Sequence, residues 1–321
     1  MLDPNIRRRL TLPAVCAPMM LASGPELAAE ACIAGLMAGL PTHNARDIEE
    51  FAQWLSQVAE RRARAEASDR GVLAVNLSGR RSNEEVDAYL DLCVRGGVEV
   101  IISAMGSPSE LVKRAHDRGM QVFHDIVSIV HAEKAVAAKV DGLTCIGAGG
   151  GGHSGAISPL AFIPKVRKMF DGAIILAGAA STGSAIRAAE VLGADLCYLG
   201  TRFIATQESR VPEAYKAMLV QSRAADVIYT PRISGVAASW LKASLQQYGL
   251  DPANLPAASA PRSYDHLPDG VRPWRDLWSG GHGVELIQDV PSVAELVLRL
   301  RAEYVDACAI PDMRQAAMVR E

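Results

Sequence analysis

No apolar stretch of this chain is long and unbroken enough to span a bilayer. The stretch 143–164 carries no charged side chain, yet it holds six glycines and His153, which no membrane helix would tolerate. Cysteine is sparse and scattered. Cys16, Cys32, Cys93, Cys145, Cys197 and Cys308 form no C-x-x-C pair, which excludes a disulfide-stapled scaffold; three fall in apolar strand-like runs, so buried free thiols in a reducing cytoplasm are expected. Basic blocks are short, Arg7-Arg8-Arg9 and Arg61-Arg62 among them, and 33 Lys+Arg against 36 Asp+Glu give a net charge of −3. Neither a nucleic-acid surface nor a polybasic membrane surface is expected. The seven histidines show no H-E-x-x-H or Cys/His cluster, so no metal site is expected. There is no G-x-S-x-G elbow and no Walker A sequence, so a serine hydrolase and a P-loop NTPase find no support. Arg7-Arg8-Arg9 followed by 10–22 imitates a secretory signal, but Pro13 and Pro18 break the apolar stretch and Asp3 sits in the basic region. A cytoplasmic location is therefore expected.

What is present is an alternation. With 321 residues, 49% hydrophobic and 21% charged, the chain suits one large α/β barrel or two average domains. Short apolar or β-branched runs at 15–18, 35–40, 72–77, 98–104, 121–126, 142–146, 173–177 and 196–200 predict eight strands. Amphipathic stretches at 25–34, 45–66, 83–95, 108–118, 129–138, 158–170 and 184–192 predict the helices between them. Gly35, Gly96-Gly97, Gly119 and Gly193 each stand just past a predicted helix, where a left-handed residue is wanted. Eight βα units close a (β/α)8 TIM barrel over 1–212; a doubly wound open sheet is the competing architecture. Beyond Pro212 prolines accumulate and the alternation is lost. We read 213–272 as a small, mostly helical cap, and 273–321 as a C-terminal segment that returns to the barrel through a helix at 292–307.

In such a barrel, chemistry sits at the C-terminal ends of the strands. The richest strand end is 147–155, a run of glycines closed by His153, Ser154 and Gly155. Glycine lets backbone N–H groups and a flat ligand approach closely, and His153 would meet whatever lies there. Small residues follow the next two strands, at Ala177-Gly178-Ala179-Ala180 and Gly200-Thr201. Opening onto helix N-termini, such turns bind phosphate in barrels. Met19 and Met20, Asn76, and His124-Asp125 stand at other strand ends. Asn offers a donor and an acceptor to a heteroaromatic edge and Met packs on a flat ring, which suits a flavin. Core filling explains the methionines equally well, and a turn cap would explain Asn76.

Taken together these loops resemble the nitronate monooxygenases, formerly called 2-nitropropane dioxygenases, which are FMN-containing (β/α)8 barrels. The carrying residues are Ala17-Pro18-Met19, Asn76, His124-Asp125, Gly151-Gly152-His153-Ser154-Gly155, Ala177-Gly178-Ala179, Gly200-Thr201-Arg202-Phe203 and Trp278-Ser279-Gly280-Gly281-His282-Gly283. The resemblance implies His153 as base or substrate anchor beside the flavin, and Gly178, Ala179, Gly200 and Thr201 around the FMN phosphate. It adds Ala17, Pro18, Met19, Asn76, His124, Gly151, Gly152, Ala177, Gly281 and His282 as cofactor contacts. Three features depart from the family pattern: Ala179 replaces a usual Gly, Ile146 and Gly149 stand where many members have Gln and Glu, and His282 stands where Gln is common. The implied activity is oxidation of alkyl nitronates or nitroalkanes with O2. FMN-dependent enoyl-acyl-carrier-protein reductases and NAD(P)H:quinone reductases share the fold and the Gly-Gly-His turn, so a reductase is the alternative. A barrel that binds flavin without turnover is a third reading.

Overall fold

The computed structural model describes residues 1–66, 69–257, 259–260 and 263–310. Eight parallel strands close a barrel: β1 (Ala14–Cys16), β2 (Met37–Pro41), β3 (Val72–Asn76), β4 (Val100–Ala104), β5 (Gln121–Ile126), β6 (Gly142–Ile146), β8 (Ala173–Ala177) and β9 (Leu196–Leu199), with β9 pairing back onto β1. The barrel, not the open sheet, is the architecture. Parallel strands are covered on both faces, and the near-continuous burial along β2 and β8 follows from that. Inward side chains such as Val15, Met37, Val100, Phe123 and Ile175 fill the interior, and Leu2 and Ile6 pack against the same cluster. Glycine at 142 makes room for the largest of them, since a Cβ there would stand 2.5 Å from the Phe123 ring. Outward side chains meet the helices in the larger core. Gly35, Gly97, Gly119 and Gly193 all adopt positive φ just past their helices, as their positions predicted.

Between β6 and β8 the glycine run forms a two-residue strand, β7 (Gly152–His153), outside the barrel. It joins an antiparallel sheet with β10 (Val227–Thr230) and β11 (Ala238–Leu241), in the order β10-β11-β7. This adds a β-hairpin to the mostly helical reading of 213–272. The segment does hold helices Glu213–Gln221 and Lys242–Gln247, but a β-hairpin lies between them. The sequences Val-Ile-Tyr-Thr and Ala-Ser-Trp-Leu carry the β-branched and aromatic residues that favour strands. Trp240, fully buried, centres the small core of this roof. Residues from all three expected intervals, among them Ala22, Tyr215 and Trp278, share a further cluster. Residues 258, 261–262 and 311–321 of those intervals lie outside the described residues.

The closing helix Val293–Cys308 starts with a capping box between Ser292 and Glu295 and packs against the helix Gly183–Leu192. The approach is close: a Cβ at Gly183 would lie 2.1 Å from the Leu300 carbonyl oxygen. All six cysteines are free and five are buried. Among the described residues no helix is long and apolar enough to cross a membrane.

Candidate functional site

The C-terminal ends of the strands open into one cavity of about 1400 Å³, roofed by β7, Tyr229 of β10 and the loops around them. Of the residues singled out from sequence, Ala17, Pro18, Met19, Asn76, His124, Gly151, Gly152, His153, Ala177, Gly178, Ala179, Gly200, Thr201 and Gly281 all line it. His282 does not. It begins the 3-10 helix His282–Leu286, where its side chain is exposed and its backbone N–H donates to the Gly149 carbonyl at 2.9 Å. It ties the glycine loop from behind.

Close backbone packing shapes that loop. A Cβ at Gly281 would stand 2.5 Å from the Gly149 oxygen and 2.7 Å from the Gly151 nitrogen. One at Gly151 would stand 3.0 Å from Thr201 Oγ1, which itself accepts a hydrogen bond from the Gly281 N–H at 3.0 Å. Gly149 adopts φ +81°, a left-handed conformation that glycine takes without strain. Ile146 puts an apolar side chain on the cavity wall. Behind the loop, Tyr215 donates its hydroxyl to the Ser279 carbonyl at 2.5 Å, and Ser279 Oγ accepts from the Gly152 N–H at 2.6 Å. Strand pairing then aligns His153 with Ala238. The His153 ring contacts Trp274 edge-on at 4.9 Å, and its Nε2 lies 3.3 Å from Ser234 Oγ. The Ser234 hydroxyl also reaches the Val236 carbonyl at 3.0 Å; when it donates there, Nε2–H is the donor to Ser234 and the lone pair of the neutral ring is on Nδ1.

The turns after β8 and β9 wall the opposite side with Gly178 (φ +128°), Ala179 (φ +57°), Gly200 and Thr201. The helix after β8 has part of its N-terminus already occupied. The Gly183 N–H is taken by Glu303 Oε2 at 2.6 Å and the Ala185 N–H by the Thr182 side chain. Any anion bound here is met by the turn itself.

Two residues that the sequence reading underweighted lie on the cavity floor. Asp125 and Tyr198 point into the barrel from β5 and β9, and Asp125 Oδ1 and the Tyr198 hydroxyl have no hydrogen-bond partner among the described residues. Burial pushes the Asp125 carboxyl up to about 7 against an opposing hydrogen bond from Thr144, and burial with Asp125 as neighbour drives the Tyr198 phenol upward. Strand alternation through Leu196, Tyr198 and Gly200 carried the signal for Tyr198. Nothing local announces Ser234 or Trp274, which reach His153 from more than eighty residues away. His124, by contrast, is buried against Ser103 at 2.8 Å, and burial with His131 nearby lowers it to about 4, so it is neutral at pH 7.

Because the Asp125 pKa rises on folding, folding favours its protonated form. That stabilisation is full below the unfolded value near 3.8, and is lost as pH rises through about 7. Asp125→Asn, neutral throughout, should thus gain about 2–3 kcal/mol on the wild type between pH 5 and pH 9 in the flavin-free protein. Urea unfolding at the two pH values measures it; a gap that does not change with pH would show that the carboxyl titrates normally.

The site fits a flavin on its own geometry: a cradle that Cβ atoms would fill, and orphaned buried polar atoms facing the space. A parallel barrel with a glycine loop and a histidine over its strand ends defines a class of barrel oxidoreductases. The profile of the nitronate monooxygenase family matches residues 10–303, and the chain belongs to that family, whose members are flavoenzymes. A nitronate monooxygenase of Paraburkholderia phytofirmans is 29% identical over 229 residues, covering 66% of this chain and 62% of its own. The (3aS,4S,5R,7aS)-5-hydroxy-7a-methyl-1-oxo-octahydro-1H-indene-4-carboxyl-CoA dehydrogenase of Mycobacterium tuberculosis is 31% identical over 150 residues, 46% of this chain and 42% of its own. The chain thus matches between about two fifths and three fifths of the length of these relatives. Nitroalkane oxidase from Streptomyces ansochromogenes superposes with a TM-score of 0.76 at 24% identity, covering 95% of this chain and 99% of that one. FabK from Thermotoga maritima gives 0.75 at 20%, covering 96% and 98%. Both show the shared fold.

Proposed function

We propose that the protein binds FMN in this cavity and oxidises alkyl nitronates, or nitroalkanes after their deprotonation, with O2. The observation that carries the reading is His153 itself, fixed by strand pairing, Ser234 and Trp274 at the edge of a glycine-walled cavity. A nitroalkane carries an acidic C–H; His153 Nδ1 takes that proton, and the resulting imidazolium holds the nitronate by charge. Gly178, Ala179, Gly200 and Thr201 hold the cofactor phosphate through backbone and hydroxyl donors. Ala17, Met19 and Asn76 meet the ring, and Gly151, Gly152 and Gly281 let it approach. When bound, FMN supplies a path by which an electron leaves the nitronate and reaches O2. FMN is favoured over FAD because the site offers phosphate turns, and the G-x-G-x-x-G spacing at 147–152 leads into the short strand β7 and not into the helix that a dinucleotide fingerprint needs.

Anaerobic mixing of the purified yellow protein with propyl-2-nitronate, and separately with NADH and NADPH, tests this. Bleaching by nitronate alone supports the proposal, whereas bleaching by a nicotinamide alone moves the protein to the reductase class. That second reading, action on enoyl thioesters or quinones, is favoured by the size of the cavity and by the CoA-thioester dehydrogenase among the relatives.

A further inference from the structure

The cavity is larger than the proposed reaction requires. Sites for one drug-sized ligand, a class that includes a flavin mononucleotide, run to about 1000 Å³. A volume of about 1400 Å³ leaves roughly 400 Å³ or more beyond that, far above the need of a short nitroalkane. The surplus has a definite chemistry. In the ring order β1-β2-β3-β4-β5-β6-β8-β9, the turns after β8 and β9 lie diametrically opposite β3 and β4. On that opposite side the cavity is lined by Arg80 after β3 and Met105 after β4, with Lys134 next in the ring on the helix Ile129–Ala137 that follows β5; Met20, after β1, lies nearer β9. Met20 and Met105 are 43% and 45% exposed, an unusual outlay of apolar surface at an opening.

Charge runs one way there. The chain as a whole is acidic, yet Asp125 on the floor is the one carboxylate among the cavity-lining residues, and it is held near neutrality. Neighbouring arginines are spoken for: Arg81 pairs with Glu85, and Arg114 and Arg118 with Asp87. Among the described residues, Arg80 and Lys134 form no ion pair. Two uncommitted cations on the side of exposed Met105, at the mouth of the cavity, focus a positive potential on an entering ligand.

We propose that this side is a substrate subsite for an extended amphiphilic anion. The acyl or alkyl chain lies along Met105 toward His153, and its phosphate or carboxylate group is drawn to Arg80 and Lys134, the two cations of the lining. The inference rests on the reading that flavin occupies the β8–β9 side.

Isothermal titration of the flavin-loaded protein with decanoyl-CoA, decanoate and CoA alone tests it, with the double variant Arg80→Ala/Lys134→Ala in parallel. An acyl anion should bind the wild type, more weakly at high salt. The double variant should lose about tenfold or more in affinity with its flavin content unchanged, the expected worth of two partly exposed charge contacts. Decanoyl-CoA binding, with CoA as competitor, identifies phosphate as the anchored group; decanoate binding equally well identifies carboxylate. Equal affinities of wild type and variant, or no heat with either acyl probe, would overturn the subsite. Nitronate reduction on the same preparations reports separately on the proposed reaction, so an acyl anion that binds a protein inert to nitronate sinks only that reading.

Discussion

His153→Asn is expected to lower turnover on neutral nitroalkanes by about 10²–10⁴-fold, the usual contribution of a positioned general base, while leaving flavin bound. The Asn amide ends where Nδ1 does and so gives up the Nε2 contact to Ser234, but the β7–β11 pairing is made by backbone, so the strand and the glycine cradle should survive. What it loses is the titratable lone pair at Nδ1. On preformed nitronate the loss should be much smaller, because the proton has already gone and only the charge of the imidazolium is missing. Steady-state rates on nitroethane and on ethyl nitronate, read against flavin absorbance, separate the two effects. Equal activity of the variant on both substrates, at the wild-type level, would remove His153 from the mechanism.

Gly281→Ala should cost the cofactor rather than the chemistry. The added Cβ meets backbone on two sides, the Gly149 oxygen at 2.5 Å and the Gly151 nitrogen at 2.7 Å, so no side-chain rotation relieves it. The glycine loop must shift, and the Gly281 hydrogen bond to Thr201 goes with it. Overpacking of this kind costs about 1–3 kcal/mol, and flavin affinity should fall by about 10–100-fold if the loop bears that cost. Gly79→Ala is the control, since its Cβ would find Leu111 at 3.9 Å, an ordinary contact. Flavin titration by fluorescence compares them; an unchanged affinity in Gly281→Ala would show that this loop does not hold the cofactor.

The barrel was legible because its signals are local. β5, β6 and β8 fall on the residues predicted for them; β6 and β8 are near-continuous apolar runs, as parallel strands buried on both faces are, and β5 keeps Val122, Phe123 and Ile126 around its polar residues. The left-handed glycines marked helix ends for the same reason: the requirement is met within one turn. The roof was not legible, because β11 owes its place to pairing with residues nearly ninety positions earlier. Proline-rich flanks concealed its four-residue strands. The N-terminus of the helix Gly183–Leu192 is a similar case: the partner that closes its first N–H, Glu303, is 120 residues away. Most of the cavity wall could be named from motifs, but Asp125 and Tyr198 became significant only when the closed barrel set them together.

The short strand β7 couples two things that many barrels keep apart. His153 is part of the same hydrogen-bonded sheet as the roof, so the hairpin cannot swing away as an independent flap without unzipping the strand that carries the histidine. Breathing of the roof and loss of the reactive geometry are one event. The amides of Gly152, His153 and Ser239 should accordingly exchange with deuterium as a single cooperative group, and traffic into the cavity is left to the side where the roof is not stitched down, past Met105.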